Sequence, residues 1–142
     1  SGLSERISMW SLNINEEQKL LIFKFSDTLT LNELSDILKA IYIENDGENA
    51  FYNRFVDMTD LKVIEIEFDT FSSHINKYRR LTKPDNPVKI SLFIPENYIG
   101  GFPQLYKSML SNDQFQIEIS DSLEECAEYL SVDKKLLEDA VK

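Results

Sequence analysis

Few side chains in this sequence have the type and spacing that catalysis or metal binding requires. His74 is the only histidine and Cys126 the only cysteine, so the usual histidine and cysteine ligand sets of zinc sites are excluded. His74 lies at the edge of a predicted apolar helical stripe, where a half-exposed side chain is expected. Cys126 falls at helical spacing between Leu123 and Leu130, which predicts a buried and inert thiol. We therefore predict no catalytic residue, no metal site and no cofactor.

Charged side chains flank one predicted helix. Glu65, Glu67 and Asp69 lie at its start, where two carboxylates could act as general acid and base. The helix macrodipole favours carboxylates at this position without any catalysis, and we prefer that interpretation. The end of the same helix carries a basic cluster, Lys77, Arg79, Arg80 and Lys83. These cations could dock an acidic partner, but we prefer to interpret them as a solvated face.

Polar and aromatic side chains gather where the predicted strands end. Because ligands of open parallel sheets bind beyond the carboxyl ends of the strands, we predict a ligand or partner surface there. Its members are Asp57, Asp60, Glu96, Asn97, Tyr98, Phe102 and Asp121. This rim is acidic and has no nearby Lys or Arg, which argues against nucleotide, phosphate or carboxylate ligands. Two alternatives remain open: the carboxylates cap turns and helices, or they bind a cation or a basic partner.

Strands and helices alternate along the chain. Strand patterns cover 8–14, 20–25, 51–58, 88–94 and 115–119, and the segment 61–66 leads into the second helix. Capping-box spacing starts helices at Thr30 and Ser122, and Pro103 opens another whose predicted buried side is Leu105, Tyr106, Met109 and Leu110. This order predicts one α/β domain with a four- to five-stranded, mostly parallel sheet, its first strand antiparallel, covered by helices. We expect residues 1–7 to be disordered or tag-derived and 133–142 to form a C-terminal helix.

Composition limits the kinds of partner and the cellular compartment that we expect for this chain. The chain has 142 residues, with 15 Lys and Arg against 25 Asp and Glu, for a net charge of −10. That charge repels a phosphate backbone, so we expect no nucleic-acid partner. The longest apolar run, 20–23, is too short to span a membrane. A single cysteine fits a reducing compartment, and we predict a cytoplasmic protein.

The segment 55–61, Phe-Val-Asp-Met-Thr-Asp-Leu, followed by Val63, Ile64 and Glu65, resembles the signature of STAS domains, the anti-sigma factor antagonist-like family. The later order of strand, helix, strand and amphipathic helix is also similar, so that the resemblance covers about 19–130. It is closest to the SpoIIAA-like branch, whose fold is similar to that of lipid-binding SEC14 domains. The resemblance implies a regulatory module that acts by protein contact.

One departure concerns the phosphorylation switch that the resemblance implies. Anti-sigma factor antagonists carry serines after the acidic residue, whereas here Ile66 and Glu67 follow Glu65. The usual phosphorylatable serine is therefore missing. Thr70, Ser72 and Ser73 lie one turn further on and stay open as modification sites.

Two functional hypotheses follow. The first is a noncatalytic STAS-like regulatory or protein-interaction module, with a protein partner or a second copy of the chain. The second is a pocket at the carboxyl ends of the strands for a small apolar or lipid-like ligand, favoured by the aromatic side chains near those ends and by the likeness to SEC14 domains.

Overall fold

The computed structural model describes residues 9–96, 98 and 100–142. The strands are β1 (Trp10–Asn15), β2 (Leu20–Thr30), β3 (Asn53–Glu65), β4 (Val88–Phe93) and β5 (Phe115–Ser120). The helices are α1 (Leu31–Tyr42), α2 (Phe68–Arg79), α3 (Phe102–Leu110), α4 (Leu123–Leu130) and α5 (Lys134–Ala140), with a 3₁₀ helix at Asn45–Phe51. The predicted tag-derived or disordered segment 1–7 lies outside the described residues.

The five strands form one sheet in the order β1-β2-β3-β4-β5. β1 is antiparallel to β2, and every later pair is parallel. The predicted α/β domain with a mostly parallel sheet and an antiparallel first strand is therefore confirmed. Because parallel crossovers share one hand, a sheet whose strands follow chain order places α1, α2 and α3 on the same face.

The two faces of the sheet bury separate apolar cores. The first core joins alternate residues of the strands, such as Phe23 and Ile90, to α1, α2 and α3. The second lies under α4 and α5 and includes Ile22, Phe55 and Leu137. Neighbouring strand residues such as Ile22 and Phe23 thus belong to different cores, as the alternation of side chains along a strand requires.

β3 is longer than the sequence pattern predicts. The segments 51–58 and 61–66 are one strand, Asn53–Glu65, and Phe51 belongs to the 3₁₀ helix. The Asp57 carboxylate accepts hydrogen bonds from the backbone N–H and the hydroxyl of Thr59, at 3.0 and 2.6 Å. Such local bonds usually favour a turn. Here they accompany a β-bulge in the pairing with β2, and the strand continues beyond it.

Both α1 and α3 begin where the sequence predicts, but α3 buries fewer side chains than expected. Thr30 and Glu33 form the predicted capping box at the start of α1. Pro103 lies in the first turn of α3, also as predicted. The predicted buried side of α3 is partly wrong, because Leu105 is 49% and Met109 58% exposed. The helix buries Leu110, as predicted, together with Pro103, so its buried apolar surface is narrower than its sequence indicates.

Candidate ligand-binding site

A partly enclosed apolar cavity of about 90 Å³ lies between the first face of the sheet and helices α1, α2 and α3. Its walls come from β2, β3 and β4 and from the inner sides of the three helices. Nearly all of the 19 lining residues are aliphatic or aromatic, among them Phe25, Leu38, Met58, Ile75 and Leu92. Small-molecule sites in proteins have this composition, with a few polar groups that fix orientation. The cavity is therefore the best candidate for a binding site in the described residues.

Aromatic rings close one end of the cavity, at the start of α2 and α3. The ring of Phe102 lies 5.1 Å from that of Phe71 and 6.0 Å from that of Phe68, in edge-to-face arrangements. Tyr106 packs against Phe71 and Phe102, with its ring centroid 5.9 Å and 6.2 Å from theirs. Since α2 and α3 each follow a parallel strand, their first turns lie at the carboxyl ends of β3 and β4. The aromatic end of the cavity is on that side of the sheet.

The opposite end of the cavity is polar. Arg54 lines it from the start of β3 and is only 6% exposed. Its Nη2 donates a hydrogen bond of 3.2 Å to the carbonyl oxygen of Ala50, while its Nε is buried without a hydrogen-bond partner. The hydroxyl of Tyr42, which also lines the cavity, is buried and unpartnered as well. Two unsatisfied polar groups thus lie beside an apolar space.

A second arginine lies next to this end. Arg79, in the last turn of α2, is 9% exposed, and its Nη2 is buried without a partner. Burial lowers the pKa of Arg79; Tyr106 and Tyr42 oppose this effect, and the positive charge of Arg54 adds to it. The prediction that Arg79 belongs to a solvated basic face is therefore wrong. Burial also raises the pKa of Tyr106, which keeps its hydroxyl neutral.

Aromatic rings stabilise the two guanidinium groups in part. The Cζ atom of Arg79 lies 4.1 Å from the ring centroid of Phe115, and that of Arg54 lies 5.8 Å from the same centroid and 5.6 Å from that of Tyr42. Each cation–π contact contributes about 0.5 to 2 kcal/mol. The effective cost of removing an unpaired ion from water is several kcal/mol. The rings therefore offset only part of the cost of burying these charges.

The predicted surface residues differ in their burial and surroundings. Phe102 lines the cavity. Tyr98 lies in the loop before α3, where burial raises the pKa of its phenol. Asp60, Glu96 and Asp121 are exposed, and Asn97 lies outside the described residues. Whether these side chains contact a ligand or a partner stays a prediction.

Asp57 occupies a different environment from the one that the strand pattern indicates. It is 1% exposed and lies inside β3 rather than at its end. Its Oδ2 and the Ser91 hydroxyl are buried without partners. Cys126 is a buried residue of α4, as predicted, and burial raises the pKa of its thiol. In the part of the chain that the structure covers, no three His, Cys, Asp or Glu side chains are placed to hold a metal ion.

Sequence reasoning missed Arg54 and the burial of Arg79, although a signal for both exists. Arg54 precedes Val56 by two residues and Met58 by four along β3, so the alternation of side chains places it with them on the first face of the sheet. Arg79 continues the four-residue spacing from Phe71 to Ile75, and so falls on the buried stripe of α2. A charged residue at an inward position is uncommon, because charges are rarely buried unless paired. That exception to the apolar pattern marks the polar end of the cavity.

Comparison with known proteins gives matches at the level of structure. No protein-family model and no curated protein matches the sequence. A solved structure of an uncharacterised DUF3478-family protein with a SpoIIAA-like fold, from Shewanella loihica PV-4, superposes with a TM-score of 0.59 and 11% identity, covering 91% of this chain and 99% of that one. The anti-sigma factor antagonist SpoIIAA in its unphosphorylated form matches with a TM-score of 0.53 and 10% identity, over 84% of this chain and 94% of that one.

At these identities the comparisons establish the fold. Both similar structures extend over nearly the whole of this chain, and its described strands and helices follow the order that the sequence resemblance implies. None of the helices among residues 9–96, 98 and 100–142 is long and apolar enough to cross a membrane. The chain is a single α/β domain with the SpoIIAA-like, or STAS-like, fold.

Proposed function

We propose that this protein is a noncatalytic binding module that takes a small apolar or lipid-like ligand in the cavity between the sheet and helices α1, α2 and α3. The supporting observation is the cavity itself, about 90 Å³ of space with an almost wholly apolar wall inside an otherwise packed layer. Protein interiors normally leave few voids larger than a water molecule. The apolar part of such a void favours apolar molecules over water.

A neutral fluorescent probe tests this function. Titration of the full chain with N-phenyl-1-naphthylamine should increase its emission, because the probe leaves water for an apolar space, provided that α2 or α3 moves outward to enlarge the cavity of about 90 Å³. An Ile90→Phe substitution fills the cavity from β4 and should abolish the increase. Displacement of the probe by 1-octanol from the unmutated protein would show that both compounds occupy the same site.

The matched control is Ile22→Phe. Ile22 and Ile90 are both buried isoleucines of the sheet, but Ile22 belongs to the core under α4 and α5. Overpacking a filled core costs about 1 to 3 kcal/mol, so Ile22→Phe should lose stability, whereas Ile90→Phe extends into existing space and should lose less. Only Ile90→Phe should lose probe binding. Equal binding by all three proteins, or none by the unmutated chain, would contradict the proposal.

A second candidate is a regulatory module that acts by protein contact without the usual phosphorylatable serine. Two observations favour it: the fold similarity to the anti-sigma factor antagonist SpoIIAA, and the exposure of Leu105 and Met109 one turn apart on α3. Paired apolar side chains on an exposed helix are typical of protein contacts.

Glu67, which stands near the position of the expected serine, is the N-cap residue of α2 and makes no side-chain capping bond there.

A further inference from the structure

The polar end of the cavity contains a cation without a counter-ion. A guanidinium group has five N–H donors, and the one side-chain hydrogen bond of Arg54 goes to the carbonyl oxygen of Ala50. Within the described ranges, the sole ion pair joins Lys142 and Asp139 at the end of the chain. No described carboxylate therefore neutralises Arg54 or Arg79, although both are more than nine-tenths buried.

The arrangement around Arg54 suits an anion better than a neutral polar ligand. Arg54 and Tyr42 both line the cavity, and the Arg54 Nε and the Tyr42 hydroxyl are donors without hydrogen-bond partners. A guanidinium group keeps its positive charge inside proteins. A carboxylate presents two coplanar oxygens that match the fork of a guanidinium group. These groups supply charge and geometry for a carboxylate, while the remaining wall supplies an apolar surface.

We propose that the ligand of this cavity is an anionic amphiphile with a single acyl chain, whose carboxylate pairs with Arg54 and receives a hydrogen bond from Tyr42. The acyl chain lies among the aliphatic side chains of α1 and the sheet and points towards Phe102. This inference rests on the proposed function, that the cavity accepts an apolar ligand. It adds the charge, the chemical class and the orientation of that ligand.

The size of the cavity adds a constraint. About 90 Å³ is less than the roughly 150 Å³ of an engineered cavity that binds benzene. A chain of eight carbons therefore fits only if α2 or α3 moves outward. Glycines precede α3 at 100 and 101, and Gly100 has φ of +137°, a conformation that other residues rarely adopt. This connection gives α3 more freedom to move than a loop without glycine would.

Three ligands of equal chain length separate the contributions of charge and apolar surface. Isothermal titration of the full-length, unmutated chain with octanoate, 1-octanol and octylamine should give the tightest binding for octanoate. A charge-assisted pair in an apolar site predicts roughly ten- to hundredfold tighter binding than for 1-octanol. Octylamine should bind most weakly, because its ammonium group is repelled by Arg54.

The outcomes of this titration separate the two proposals. If octanoate and 1-octanol bind equally well, the charge proposal is wrong and the apolar binding function stands. If none of the three binds, both proposals fall. This comparison needs no substitution, so it decides the matter even if a variant of Arg54 does not fold.

Substitutions test whether Arg54 is the residue that makes octanoate bind more tightly than 1-octanol. Arg54→Met keeps the length of the side chain but removes the charge, and should weaken octanoate binding roughly ten- to hundredfold while leaving 1-octanol binding unchanged. Arg54→Lys keeps the charge without the fork and should give an intermediate affinity. Arg80→Met is the charge-matched control, because Arg80 is exposed. An equal loss of octanoate affinity in Arg54→Met and Arg80→Met would overturn the assignment, since it would indicate a long-range effect of net charge.

Discussion

Arg54 occupies a position that the alternation of β3 assigns to an apolar side chain. Val56 and Met58 line the same cavity on the same face, so Arg54 carries a positive charge into an apolar core. Its contacts with Tyr42, Phe115 and the Ala50 carbonyl oxygen do not replace the hydration that it loses. A residue that costs stability in the unliganded protein is typical of a binding site, where function and stability oppose each other.

The stability of the Arg54→Met variant tests this interpretation independently of any ligand. Replacing a buried unpaired ion by an apolar side chain of similar length should raise the free energy of unfolding by about 1 to 4 kcal/mol. Urea denaturation of the unliganded protein measures the change. The exposed Arg80→Met should stay within about 0.5 kcal/mol of the unmutated chain. A clear loss of stability in Arg54→Met would show that the guanidinium contributes to the packed core.

At the scale of elements, α1 shows how a local sequence signal determines structure. The backbone N–H of Thr30 donates to the Glu33 carboxylate at 3.1 Å, and the backbone N–H of Glu33 donates to the Thr30 hydroxyl at 3.3 Å. These two bonds satisfy donors that the first helical turn leaves unpaired. They also fix the start of the helix that forms one wall of the cavity.

Removal of this cap should destabilise the protein measurably. We expect Thr30→Ala to lower the free energy of unfolding by about 0.5 to 2 kcal/mol, because the Glu33 N–H loses its acceptor. Thermal or urea unfolding gives the value. Ser73→Ala, an exposed change inside α2, is the control and should be nearly neutral. Equal stability of both variants would mean that the cap contributes little to folding.

The elements also show what the sequence could and could not predict. Helix starts at Thr30, Pro103 and Ser122 and the strand at 88–94 were predictable, since capping residues and alternation are local signals. The length of β3 was not predictable. The hydrogen bonds between Asp57 and Thr59 are typical of a turn, and only the pairing with β2 shows that the chain forms a bulge there and continues as a strand. The cavity was not predictable either, since its walls come from six separate elements.

At the scale of the whole molecule, the exposed apolar side chains of α3 bear on assembly. If Leu105 and Met109 contact a second copy of this chain, the contact is expected to be symmetric, as in most homodimers. Light scattering over a concentration series should then show a dimer that a Leu105→Lys, Met109→Lys double variant dissociates. Leu81→Lys, which changes another exposed leucine, should leave the dimer intact. A monomer at every concentration would remove the homodimer and leave a different protein as the partner.

The overall negative charge of the chain and the two buried arginines have opposite effects on an anionic ligand. A net charge of −10 slows the approach of an anion, but salt screens exposed charges over about 8 to 10 Å. Inside the cavity the screening is weaker, so the proposed pairing with Arg54 would dominate the affinity. On that proposal, anions that also carry an apolar chain would bind better than anions such as free phosphate, which lack apolar surface to offset the repulsion.

Within the described residues, the outer parts of β2 and β3 extend beyond the strands that flank them. There β1 pairs with β2 as far as Phe25, one further bond joins the Ser26 N–H to the Met9 carbonyl oxygen, and β4 pairs with β3 as far as Asp57. In that part of the chain, residues 27–30 and 61–65 pair with each other as a two-stranded arm. A pair of strands on its own is marginally stable, and this arm depends on the burial of Leu29 and Leu61 in the first core, where with Ile64 they form part of the cavity wall. Fraying of the arm would uncover that wall while the central ladder of hydrogen bonds stays intact, and would give the proposed ligand an entrance that does not require the domain to unfold.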